Sequence, residues 1–71
     1  MLMEAKRSKV VELMNDYCNG NYNRFGRELG VDPSHLYRFL TEGVGGGKKI
    51  VGAVIKFCKK NGLNYEDYID F

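Results

Sequence analysis

Apolar residues recur along this chain at helical spacing. Between Lys6 and Cys18, the side chains of Val10, Val11, Leu13, Met14, Tyr17 and Cys18 fall within one arc when successive residues advance by about 100°. Ile50, Val51, Val54, Ile55, Phe57 and Cys58 do the same between Lys48 and Lys60, with Lys56, Lys59 and Lys60 opposite. These are two amphipathic helices. The first stops at Asn19-Gly20-Asn21 and the second at Asn61-Gly62, because asparagine and glycine tolerate the left-handed conformation that ends helices. Another helix starts near Tyr22 or Asn23 under an asparagine cap and runs to Leu29 before Gly30. The next start signal is the strongest: Asp32 as N-cap, then Pro33 at a first helical position where no amide hydrogen is needed. That helix runs from Pro33 to about Thr41, and Gly43 with Gly45, Gly46 and Gly47 makes a flexible connection. Asn64, followed three residues later by Asp67, resembles a capping box opening a last short helix through Tyr65, Tyr68 and Ile69. No stretch of period two with β-branched residues occurs, so the expected fold is all-α, a compact five-helix bundle forming one domain over residues 1–71.

Two helices separated by Gly30-Val31-Asp32 alone must cross steeply, which makes demands on individual positions. Gly26 supplies no side chain where the helices approach most closely, and Gly30 suits a turn residue with positive φ. Val31 plugs the corner, while Phe25 and Leu29 meet Leu36 and Phe39. On the helix over 33–41 the apolar Leu36, Phe39 and Leu40 leave Ser34, Tyr37, Arg38 and Thr41 on the opposite, polar face. An α-helix fits the DNA major groove, where arginine bonds guanine bidentately and serine or threonine bonds base edges or phosphate. Arg38 is the leading base reader, and Ser34 lies one turn before it.

The run F-G-R-E-L-G-V-D-P-S-H-L-Y-R-F-L, Phe25 to Leu40, resembles the helix-turn-helix DNA-binding domains of the phage lambda repressor and Cro family. With the flanking helices the resemblance covers nearly the whole chain. It implies a lambda-repressor-like bundle acting as a prokaryotic or phage transcriptional regulator, bound to its operator as a dimer with the helix at 33–41 in the groove. By position the family's base-contacting places match Pro33, Ser34 and Arg38, and its phosphate-contacting helix start matches Tyr22. Pro33 departs from the pattern, since proline cannot make the amide-type adenine contact.

Charge sharpens the picture. The net charge is only +2, but residues 1–62 carry eleven basic against six acidic side chains, leaving an acidic tail with Glu66, Asp67 and Asp70. Lys48 and Lys49 begin a helix, where cations oppose the dipole, and a phosphate there would compensate them. Tyr37 is read as a base or phosphate contact, or as a ring packed on a neighbour. Phosphate contacts are expected at Tyr22, Asn23, Arg27, His35, Thr41, Lys48 and Lys49, with solvation as the plain alternative for Arg24 and Arg27. Tyr65, Tyr68, Ile69 and Phe71 either close the core or, for Tyr68 and Phe71, form a homodimer contact.

Other classes fit poorly. A chain of 71 residues buries only about 60% of its unfolded surface, which leaves no room for a deep catalytic cleft. With one histidine, no plausible triad and scattered carboxylates, no enzymatic activity, cofactor or metal is expected. Gly43-Val44-Gly45-Gly46-Gly47-Lys48-Lys49 lacks the spacing, the following serine or threonine and the preceding strand of a nucleotide-binding loop. Cys18 and Cys58 read as packed thiols rather than a disulfide or metal pair. Without a membrane span or signal-peptide pattern, the expected place is the cytoplasm, with the nucleoid. The alternative function is a protein-interaction module on the same fold, such as an antitoxin or regulatory subunit, anchored by Tyr37 and Phe71.

Overall fold

The computed structural model describes residues 3–43 and 47–70. Four α-helices account for most of them: α1 (Arg7–Cys18), α2 (Tyr22–Leu29), α3 (Pro33–Glu42) and α4 (Lys48–Lys60). Their ends follow the local signals. α1 stops at Asn19, whose φ is +56°, and α2 and α3 stop at Gly30 and Gly43, both at φ +73°. Asn21 caps α2 by accepting from the Arg24 amide at 3.1 Å, and Asp32 caps α3 by accepting from the Ser34 amide at 2.9 Å. Asn61 closes α4 by donating its Nδ2 to the Phe57 carbonyl at 2.9 Å.

The C-terminal segment departs from the five-helix expectation. Residues Tyr65–Asp67 form a single 3₁₀ turn under an Asn64 cap, and the chain then enters a strand rather than a fifth helix. Glu4–Ala5 (β1) and Ile69–Asp70 (β2) pair antiparallel, Glu4 opposite Asp70 and Ala5 opposite Ile69. The ladder continues up to the start of α1, where the amide of Lys6, the residue before the helix, donates to the Tyr68 carbonyl at 2.8 Å. Two residues per strand are too few to show alternation, so a two-residue ladder is invisible to a search for period two. It also needs a partner more than sixty positions away in sequence.

One hydrophobic cluster lies between the four helices and this ladder. Phe25, Phe39, Leu13, Leu36, Ile50, Ile69, Val10 and Val54 are its largest sealed side chains, alongside Cys18 and Cys58. Phe57 links the helices through edge-to-face contacts with Phe25 at 5.7 Å and Tyr17 at 5.2 Å, a favoured aromatic geometry. Tyr17, assigned to the inward arc of α1, therefore lies at the core's margin, packed along one edge and 40% exposed. Among the described residues no helix is long and apolar enough to cross a membrane.

Candidate nucleic-acid interface

α2 and α3 meet where Gly26 stands. A β-carbon there would lie 3.0 Å from the Val31 carbonyl oxygen and 3.3 Å from both Cα and Cγ of Pro33. The Val31 amide donates to the Gly26 carbonyl at 2.9 Å, so the turn is bonded back onto the glycine that lets it approach. The effect is to hold α3 by its inner side, with Leu36 and Phe39 buried and Ser34, Tyr37, Arg38, Thr41 and Glu42 exposed.

Each flank of that exposed face has its own chemistry. Toward α2, the Tyr37 ring lies 4.9 Å from the Tyr22 ring at 48°, and both are substantially exposed, 49% and 36%. Toward α4, a groove of about 540 Å³ runs between the turn and the helix. Leu29, Val31, Gly52 and Ala53 line it along with His35, Lys49 and Lys56, and Asp32 is its single carboxylate. α3 thus projects between an aromatic flank and a cationic one.

The residues expected to touch DNA are placed unevenly. Ser34 and Arg38 lie on the outward face as expected, and Arg38 Nε sits 3.7 Å from Glu42 Oε2 with both side chains well exposed. An exposed pair of this kind contributes roughly 0.3–0.5 kcal/mol, so it does not lock the guanidinium. Pro33, assigned to the bases by position, is half-buried with its ring against Gly26. Thr41 is exposed, but its hydroxyl donates to the Tyr37 carbonyl at 2.8 Å within its own helix, so that group is not aimed at a phosphate. His35 is half-buried in the α4 groove rather than standing on an open flank.

Tyr22, Asn23 and Arg27 are exposed on α2, and Arg27 occupies the last turn, where a cation complements the carbonyl end of the helix dipole. Lys48 and Lys49 are exposed in the first turn of α4, which has no acidic residue and no side-chain cap from Gly47. Gly45, Gly46 and Phe71 lie outside the described residues. Tyr68, named for a dimer contact, is half-buried against the core.

Arg7 was missed by sequence reasoning. Its Nη1 donates to the Thr41 carbonyl at 3.4 Å, placing a positive charge at the C-terminal end of α3. The two residues are 34 apart in sequence, and no local signal pairs them.

The buried thiols are unsuited to nucleophilic work. Burial pushes the Cys18 thiol above its ordinary value, opposed by Arg24 and reinforced by Glu28, and burial with Asp67 does the same for Cys58. Both thiols are unbridged, and among the described residues no group of three or more His, Cys, Asp or Glu is placed to hold a metal. A scan against protein-family models finds no match to this chain, and searches of curated proteins and of solved structures find none either.

Proposed function

We propose that α2 and α3 form a helix-turn-helix and that the chain binds duplex DNA sequence-specifically, with α3 in the major groove. On this reading it is a small prokaryotic or phage transcriptional regulator of the repressor or Cro type, acting in the cytoplasm with the nucleoid. The observation that supports it best is the close crossing at Gly26 combined with the exposed ridge of Ser34, Arg38 and Thr41 that this crossing lifts away from the core. Arg38 reads guanine, Ser34 contacts bases or phosphate beside it, and Lys49 and His35 engage the backbone from the α4 side. Two copies bind a two-fold-related site, which fits the symmetry of such operators.

Amide NMR titration of the labelled protein with mixed-sequence duplex DNA, at low and then higher salt, tests the docking face. Salt-sensitive shifts at Tyr22, Ser34, Arg38 and Lys49 are expected, and their absence would refute the proposal. The roles separate by mutation. Arg38→Ala should cost about 1–3 kcal/mol of specific binding and relax sequence preference, whereas Lys49→Ala should weaken all sequences alike and reduce the salt slope by about one. Equal, uniform losses from both would overturn the division of labour.

The exposed Tyr22 and Tyr37 rings favour one competing reading, a protein-docking module. An apolar protein contact would keep its affinity as salt rises, which DNA binding would not.

A further inference from the structure

The aromatic flank of α3 carries more chemistry than a general backbone contact. Tyr22 packs on the Tyr37 ring from one side at 4.9 Å, and Tyr37 presents a half-exposed aromatic surface. Thr41 follows Tyr37 by four residues and is therefore its neighbour on the helix surface. The Thr41 hydroxyl is bonded to the Tyr37 carbonyl, so the group that side chain has besides it is a methyl. Arg38 lies about 100° round the helix from Tyr37, beside Glu42 on the far edge of the face. The exposed face is thus divided lengthwise into an apolar strip and a charged one.

In the major groove one base presents an apolar group of matching size. Thymine differs from cytosine there by its O4 acceptor and its C5-methyl, and apolar side chains recognise that methyl by contact. We propose that Tyr37, positioned by Tyr22 and continued by the Thr41 methyl, reads the C5-methyl of thymine. The inference rests on the DNA-binding reading above and changes two roles within it. Tyr22 becomes a positioning residue rather than a phosphate contact, and Thr41 contributes carbon rather than a hydrogen bond.

The test removes the methyl and nothing else. A preferred site is selected from a randomised duplex pool with the whole chain at low salt, and each thymine is then replaced in turn by deoxyuridine. Burying one methyl corresponds to roughly a fourfold change in affinity, so at one or two positions uracil should weaken binding by about that factor. Tyr37→Phe should keep this penalty, because the ring and not the hydroxyl makes the contact, and Tyr37→Ala should abolish it. Tyr22→Ala should shrink the penalty, while Tyr22→Phe retains it. The two phenylalanine variants preserve ring packing and keep the test valid should an alanine variant misfold.

Selective binding that ignores uracil at every position overturns the inference while leaving the DNA reading intact. A penalty that persists in Tyr37→Ala, or disappears in Tyr37→Phe, also overturns it. Absence of any selective, salt-sensitive binding defeats the DNA reading itself, and this inference with it.

Discussion

Gly26 and Gly52 both sit inside helices, yet a β-carbon meets opposite surroundings at the two. At Gly26 it would press on the Val31 carbonyl and on Pro33, and at Gly52 it would meet nothing within 4 Å. Glycine within a helix costs about 1 kcal/mol relative to alanine, so each needs a reason. The α2–α3 crossing supplies one for Gly26, because its backbone approach leaves no room for a side chain. No contact among the described residues supplies one for Gly52, which lines the open groove between the turn and α4. One side of α3 is therefore set by tight packing and the other is bounded by space. The flanks differ accordingly, with paired rings held against each other on the packed side and lysines around a groove on the open one.

The largest effect should come from closing the tight side. Gly26→Ala should lower stability by about 1–3 kcal/mol in urea denaturation, because backbone oxygen and a proline ring cannot move aside like a flexible side chain. An unchanged midpoint would mean the crossing is looser than its geometry indicates. Gly52→Ala should do the reverse and raise stability by about 0.5–1 kcal/mol, since the added methyl meets open space and the helix gains propensity. A loss there would erase the contrast between the flanks. The smallest effect belongs to the face between them. Glu42→Gln removes the exposed partner of Arg38 and should shift stability by no more than about 0.3–0.5 kcal/mol. If Arg38 reads DNA, the same change should tighten binding, by removing a negative charge from the docking face. Fluorescence-monitored binding of the variant to its selected duplex would detect it.

Much of the fold was legible in the sequence because its signals are local. Asn21 and Asp32 cap the amides two or three residues ahead of them, and Gly30 and Gly43 end helices through their own φ. The outward placement of Ser34 and Arg38 likewise follows from helical period. The C-terminal segment was misread for a related reason. Asn64 does cap, accepting from the Glu66 amide at 3.1 Å, but a cap opens a turn without setting its length. The pairing of Ile69 with Ala5 ended that turn, and Ala5 stands at the other end of the chain.

The candidate site divides in the same way. Which residues α3 exposes was readable from its sequence, but what each does there was decided by neighbours on other elements or by rotamer choice. Pro33 packs because Gly26 lies opposite, and His35 borders a groove because α4 passes the turn. Thr41 turns its hydroxyl back onto its own helix, and Arg7 reaches the end of α3 from 34 residues away. The sequence alone determined the approximate places of the four helices, the Asn21 and Asp32 caps and the polar face of α3, since these depend on interactions within a few residues. The tertiary structure alone decided the terminal ladder, the two unlike flanks and the surroundings of Pro33, His35 and Arg7, because those depend on surfaces that meet only after the helices have packed.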